Sequence, residues 1–291
     1  MIATVSKPMR LLSAAADAIR PVQHVDSWPW INRYGRTPDG MQFDGGRVPY
    51  IRGVCEAWDD PYTREIALMW GTRLGKTMAS LQLIAKAAAT SPRPGLFATS
   101  TQTLSERTVS GKIYPVLAAC PKTAPLLPPP HRWSMREVRL SNSSWHVAWS
   151  GSATQLADLS AFYGVGNEID KWSLDERQGG DAGEGDSLDQ FFQRFKEFWN
   201  YKVLLECSPS TKTKSRIAKK YNASDRRKYH VPCPHCGEYQ TLVLGRKDEP
   251  GGVRFDTPIE GPAEASLARS TAYYECRFCE GAIHDRHRAT M

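Results

Sequence analysis

From Glu65 onward, short apolar runs alternate with longer amphipathic stretches. Ile66–Trp70 reads as a buried strand and Gly71–Thr77 as a turn. Met78–Ala89, rich in Ala, Leu, Gln and Lys, predicts a helix. Leu96–Thr99 is a second short strand, followed by a helical stretch over Thr103–Leu117 and a Pro-rich connection, Pro121–Pro130. Val138–Leu140 and Trp145–Trp149 flank Ser141–Ser144 and predict a hairpin. Phe162–Val165 is a strand running into Glu168, Leu188–Trp199 an aromatic-studded helix, and Val203–Cys207 a strand. Strands alternating with helices predict an α/β fold with a mostly parallel sheet. Residues 1–50 show little periodicity and read as an irregular lead-in, with a short helix over Met9–Ile19. After Tyr229 the pattern stops, and Gly, Pro and Cys take over. The expected division is a lead-in over 1–50, a main domain over 51–229 and a small domain over 230–291, without internal repeats. At roughly 150 residues per domain, the length of 291 residues fits that division.

Composition narrows the class. Hydrophobic residues make up 41% and charged residues 24%, a globular balance. No apolar run approaches the roughly 20 residues that span a bilayer. Lys7, Arg10 and Asp17 break any signal-peptide core, so neither a membrane nor a secretory role is expected. The net charge of +7 permits a polyanionic partner. Within 211–228, Lys212, Lys214, Arg216, Lys219, Lys220, Arg226, Arg227 and Lys228 face only Asp225, whereas 175–189 is acidic. At helical spacing Lys212, Arg216, Lys219 and Lys220 fall near one face, which suits contact with DNA phosphates.

Two segments carry chemistry. Gly71-Thr72-Arg73-Leu74-Gly75-Lys76-Thr77 lies between a strand and a helix and fits the end of a phosphate-binding loop, with Trp70 in the first glycine position. Backbone N–H groups and a helix N-terminus would hold phosphate oxygens, Lys76 would pair with the β- and γ-phosphates, and the Thr77 hydroxyl would bind Mg²⁺. Glu168, at the end of a later strand, fits the water-activating acid of ATP hydrolysis. Asn167 stands where a magnesium-associated Asp is expected, and Asp170 is the substitute within reach. Tyr50 and Arg52 are candidates for the base.

Cys233-x-x-Cys236 and Cys276-x-x-Cys279 are two knuckles suited to one structural Zn²⁺. The stretch between them, residues 237–275, exceeds the usual ribbon spacing of roughly 15–20 residues, so a hairpin with a long loop is expected. His284 and His287 are alternative ligand types nearby but read as surface residues.

Several stretches together resemble the large terminase subunit of tailed bacteriophages, in its lambda-like GpA branch. They are Thr72–Thr77; Trp149-Ser150-Gly151-Ser152 with Leu156 and Leu159; Asn167–Trp172; Cys207-Ser208-Pro209-Ser210; Ser215-Arg216-Ile217, Tyr221 and Ser224-Asp225; and Val231–Gly237. The resemblance runs from about residue 50 to the end. It implies an ASCE-type P-loop ATPase core followed by a small zinc-ribbon-like domain with four cysteine ligands. The implied activity is ATP hydrolysis that drives double-stranded DNA into a procapsid in the host cytoplasm. Implied partners are a small terminase subunit, the capsid portal and further copies of the chain. It makes Arg73 an in-cis sensor of the γ-phosphate, and Ser208, Pro209 and Ser210 the segment coupling hydrolysis to movement. Two departures stand out. Asn167 replaces Asp, and the chain stops at Met291 before any carboxylate-rich nuclease domain, so no nuclease activity is expected. Competing readings are a helicase-like translocase and a degenerate protein that binds nucleotide and DNA with little turnover.

Overall fold

The computed structural model describes residues 25–152, 155, 159–172, 186–210, 215–246, 248–256 and 265–291. The expected helix over 9–19, most of the acidic stretch, Lys212 and Lys214 lie outside them. The chain divides into two compact units, Met1–Asp225 and Arg226–Met291.

In the first unit, α1 (Ser27–Tyr34) and α2 (Ile51–Asp59) precede β1 (Glu65–Met69). The chain continues through α3 (Lys76–Thr90), β2 (Gly95–Thr99), α4 (Gln102–Thr108), a π-helical turn Val109–Ile113 and α5 (Tyr114–Ala119). Then come β3 (Glu137–Arg139), β4 (Ser144–Trp149), β5 (Tyr163–Asn167), α6 (Ser187–Gln193), β6 (Lys202–Cys207) and α7 (Arg216–Asn222).

The sheet has the order β1-β6-β5-β2-β4-β3. Its neighbours are parallel from β1 through β4, and β3 is antiparallel at one edge. Strands β2, β5 and β6 are buried at every position, as parallel strands covered on both faces are. The topology fixes the site: β6, latest in the chain, lies between β1 and β5. The segments leaving β1, β5 and β6 therefore share one carboxyl edge, where open α/β sheets bind ligands.

The hairpin of β3 and β4 forms as the pattern predicts, but β4 also pairs in parallel with β2. The Leu188–Trp199 helix is shorter than expected. It ends at Gln193, and the following turn drops Phe195 onto β5. Gly164 makes room for it, since a Cβ there would meet Phe195 Cζ at 2.4 Å.

Residues 25–50 are not an irregular lead-in. Trp30, Ile31 and Phe43 belong to the main core. The Asp59 carboxylate, at the end of α2, accepts from Ser27 N–H at 2.5 Å and Ser27 Oγ at 2.6 Å and pairs with Lys86 of α3 at 3.2 Å. α1 has only 8 residues, too few turns for an apolar period to emerge.

In the second unit, β7 (Val231–Pro232) pairs with β8 (Tyr239–Gln240). β9 (Gly252–Arg254), α8 (Ala265–Thr271), β10 (Tyr273–Glu275) and β11 (Ala282–Ile283) follow, and the strands form a sheet in the order β11-β10-β9. Its buried apolar cluster holds only Cys233, Cys276 and Ile283. Among the described residues no helix is long and apolar enough to cross a membrane.

Candidate nucleotide site and four-cysteine cluster

The loop after β1 turns on two residues with positive φ, Arg73 (61°) and Gly75 (78°). Residues 71–74 are exposed, and Thr77 is partly exposed in the first turn of α3. Among the described residues, nothing accepts from the backbone N–H groups of 71–78. Backbone donors without acceptors that end at a helix N-terminus are the general arrangement for holding anionic oxygen. The Trp70 ring packs edge-on against Tyr50, centroids 5.2 Å apart. Arg52 is tied to Glu56 at 2.9 Å.

Lys76 is buried. Its Nζ donates to Gly71 O at 2.8 Å, to Trp70 O at 3.3 Å and to Ser208 Oγ at 2.8 Å. The first two bonds close the loop on itself, and the third ties it to the segment leaving β6.

At the end of β5, Glu168 has φ 54° and ψ 48°, left-handed for a residue that is not glycine. Such strain persists only where the surroundings hold it. Here Glu168 N–H donates to Glu206 O at 2.7 Å, Lys171 pairs with Glu168 Oε2 at 3.2 Å, and Trp172 Nε1 donates to Asn167 O at 2.9 Å. Two strand spacings separate the ends of β1 and β5, about 10 Å, enough for a phosphate chain to lie between Lys76 and Glu168.

One group at this edge was not singled out from the sequence. Glu206 of β6 is fully buried, and its Oε1 accepts from Asn167 Nδ2 at 2.7 Å. Its other oxygen, Oε2, has no hydrogen-bond partner. Burial pushes the Glu206 carboxyl up to about 7; the Asn167 and Ser80 side chains favour the charged form, the Glu168 charge opposes it, and Lys76 favours it. The available signal was an acid inside the apolar run Val203–Cys207.

Asp170 is not free to substitute for the missing Asp. Its carboxylate accepts from Ser210 N–H at 3.0 Å, Ser210 Oγ at 3.1 Å and Ile217 N–H at 2.9 Å. Burial raises its pKa, but the bonds from Ile217, Ser215 and Ser210 outweigh that and hold it below the ordinary carboxylate value. The segment Ser208-Pro209-Ser210 thus touches Lys76 at one end and Asp170 at the other.

The predicted basic face does not survive. Arg216 is buried, its Nη1 donating to Ile169 O at 3.3 Å and Trp172 O at 3.1 Å while its Nη2 pairs with Asp186. Lys220 pairs with Glu65 at 2.9 Å and lies 4.0 Å over the Phe192 ring. Of the three described residues of that face, Lys219 alone stays exposed. α7 packs on the first unit by the side that the spacing had given to DNA.

In the second unit the thiols of Cys233, Cys236, Cys276 and Cys279 lie within 4.8 Å of one another. Cys233 Sγ is 3.8 Å from Cys279 Sγ, and Cys236 Sγ is 3.9 Å from Cys276 Sγ. Metal–sulfur bonds of about 2.3 Å in a tetrahedron place sulfurs about 3.8 Å apart, so the cluster fits one Zn²⁺. The knuckles are built alike. His235 N–H donates to Cys233 Sγ and Phe278 N–H to Cys276 Sγ, each at 3.4 Å. Despite burial, backbone N–H groups of Cys279 and Phe278 hold the Cys276 thiol down to about 6. His284 and His287 stand outside the thiol group; His287 Nδ1 accepts from His284 N–H at 3.2 Å.

Comparison with known proteins gives the family and the fold. "Terminase, large subunit" of Enterobacteria phage P21 is 23% identical over 238 residues, covering 78% of this chain and 36% of that protein. The chain therefore spans about a third of the length of this relative. The large terminase of bacteriophage HK97 superposes with a TM-score of 0.52 at 12% identity, covering 69% of this chain and 40% of the other, a likeness of fold. The family described as "Phage terminase large subunit gpA, ATPase domain" matches residues 40–291. That match takes in the loop, the ends of β5 and β6 and all four cysteines, and the chain belongs to this family.

Proposed function

We propose that this chain hydrolyses ATP as the motor of a viral packaging machine and couples the reaction to movement along double-stranded DNA. The observation that carries the reading is the bond from Lys76 Nζ to Ser208 Oγ, at 2.8 Å. It connects the phosphate loop to the strand lying between that loop and Glu168.

The N–H groups of 71–77 would bind the phosphate oxygens, and Lys76 would leave Ser208 and Gly71 O to pair with the β- and γ-phosphates. Thr77 and the Asn167 amide, both hard oxygen donors, would hold Mg²⁺, which neutralises charge on the β- and γ-oxygens. Glu168 takes a proton from water as its oxygen bonds to the γ-phosphorus. The bond from that phosphorus to the bridging oxygen breaks, releasing ADP and phosphate. Arg73, exposed on the same loop, would meet the γ-phosphate. Ser208 changes partner when Lys76 engages the nucleotide, and the Ser210–Asp170 bonds carry that change toward α7. This is the physical content of a coupling role for 208–210. Zn²⁺ on the four thiolates would be structural, since no ligand position stays open. Duplex DNA, a small terminase subunit, a capsid portal and further copies of the chain are the proposed partners.

Phosphate release measured with and without linear duplex DNA tests the reading. Turnover stimulated by duplex DNA, with no strand separation on a partial duplex, is expected. Glu168→Gln should lower turnover by about 10²- to 10⁴-fold while nucleotide still binds. Strand separation would favour a helicase-like translocase, and full activity in Glu168→Gln would remove the assigned base. A second reading, nucleotide binding without turnover, is favoured by the neutral Asn167; it is supported if Asn167→Asp alone brings activity to an inactive chain.

A further inference from the structure

The edge of the sheet holds an acid that the hydrolysis scheme above does not use. Glu206 sits on β6, opposite Asn167 of β5 in register and opposite Leu68 of β1. It is 0% exposed. A carboxylate is not buried without compensation, because the loss of hydration costs several kcal/mol. The compensation is partial: Asn167 Nδ2 donates to Oε1 at 2.7 Å, and Oε2 is left without a hydrogen bond. Ser80, beside it on α3, lies 3.3 Å from Lys76 O and is also a side-chain partner that favours the charged form of Glu206. The second carboxylate oxygen is thus buried without a hydrogen bond of ordinary geometry, with Ser80 beside the carboxyl group and the Lys76 charge favouring its ionised form.

The bond to Asn167 has a directional consequence. Glu206 Oε1 accepts from Asn167 Nδ2 at 2.7 Å, so the amide turns its NH2 toward Glu206. Its carbonyl oxygen is then the side-chain atom of Asn167 left to serve as a ligand. An Asp at 167 would bring a charge and two acceptors to that place. With Glu206 ionised, the pair Asn167–Glu206 brings the same net charge, moved one strand toward the loop, and one amide oxygen as acceptor. Water-excluded surroundings make that charge felt at the cation more strongly than on a surface.

Resting on the nucleotide-motor reading, we infer that Glu206 is a positioning residue for the magnesium of a bound nucleotide: it supplies the negative charge that Asn167 lacks and aims the Asn167 carbonyl oxygen at the cation. Outer partners that orient metal ligands in this way are worth about 10- to 100-fold in metal affinity. On this inference neither single exchange, Asn167→Asp or Glu206→Gln, substitutes for the pair. Asn167→Asp by itself sets two buried carboxylates against each other at the distance of a hydrogen bond, which disfavours ionising both. The pair should therefore be exchangeable only as a pair, Asn167→Asp with Glu206→Gln, which preserves charge and hydrogen bond with donor and acceptor reversed.

The test uses the 291-residue chain and the non-hydrolysable analogue AMP-PNP. Calorimetry measures analogue affinity without divalent cation and then along a Mg²⁺ titration, and thermal melts report folding of each variant. Glu206→Gln should keep metal-free analogue affinity within about twofold and weaken the Mg²⁺ dependence about tenfold or more. Asn167→Asp alone should not strengthen it. The double variant should recover it to within about threefold of the parent, a rescue that a packing role for Glu206 does not produce. A Glu206→Gln protein that melts normally with unchanged Mg²⁺ dependence overturns the inference and leaves the motor reading intact. So does a folded double variant that fails to recover. If Glu206→Gln does not fold, the double variant decides alone. A parent chain that binds no analogue overturns both readings.

Discussion

Two of the residues proposed for the nucleotide site, Arg73 and Glu168, are also exceptions in backbone conformation. Among the described residues, four that are not glycine hold positive φ: Arg73, Glu168, Arg226 and Glu280. The first two sit in the loop after β1 and at the end of β5, where the loops must turn within a residue or two to aim side chains at one edge. Glu280 has a different cause. It ends the second Cys-x-x-Cys knuckle, its N–H donating to Cys276 O at 2.9 Å, just as Gly237 N–H donates to Cys233 O at 2.9 Å in the first. The first knuckle has a glycine at φ 77° and the second a glutamate at φ 56°. A left-handed conformation costs an L-residue about 1–2 kcal/mol, part of which a glycine returns to the unfolded chain. Glu280→Gly should therefore stabilise the metal-loaded protein by about 0.5–1 kcal/mol, and Gly237→Ala should destabilise it by a similar amount. Denaturant unfolding of the two variants checks the pair. Neither effect was legible in the sequence beyond the glycine itself, since a glutamate carries no mark of the φ it must adopt.

Elements fared unevenly in the sequence, for physical reasons. Strands β1, β2, β5 and β6 announce themselves because a parallel strand buried on both faces is a continuous apolar run. The partner of each strand does not show. β6 follows β5 in the chain and also pairs with β1, and only this insertion brings Ser208 to Lys76. The basic face failed because spacing finds the positions that share one side of a helix but not whether that side meets water or protein. On α7 it meets protein, with Arg216 buried against Ile169 O and Trp172 O. α7 is pinned at its start by Asp170, which receives Ile217 N–H. Asp170→Asn should loosen α7 and the 208–210 segment, costing about 1–3 kcal/mol near neutral pH. Because the folded-state pKa of Asp170 is held low, its contribution is fully present above the unfolded value of about 3.9 and is lost as pH falls through the lower folded value. Parent and variant stabilities, followed by urea unfolding along a pH series, should differ at pH 7 and converge in acid. A constant gap across the series would assign the effect to packing.

At the scale of the whole chain, the two units are stabilised by different physics. The first has broad apolar clusters on both sides of its sheet, among them Trp145, Phe97, Phe191 and Phe195, all essentially fully buried. The second buries Cys233, Cys276 and Ile283 and leaves Leu244, Tyr239 and Phe278 exposed. A core that small does not offset the entropy of ordering its chain, as small domains generally show. The cysteine spacing made this legible in advance: the knuckles were plain, while the long stretch between them hid β8, β9, β10 and the helix α8. Structural zinc contributes apparent binding free energies of about 10–16 kcal/mol in small zinc domains, which is folding energy where apolar burial is scarce. Stripping metal with a chelator under reducing conditions should therefore unfold 226–291 and spare the sheet of the first unit. Amide exchange reads this directly. Protection should vanish over Val231–Gln240 and Tyr273–Ile283 and persist in β2, β5 and β6. Restored protection on adding Zn²⁺, one equivalent per chain, would complete the case. Unaltered protection in the chelated protein would mean that the four thiols converge without a metal and that the second unit is held by side-chain contacts alone.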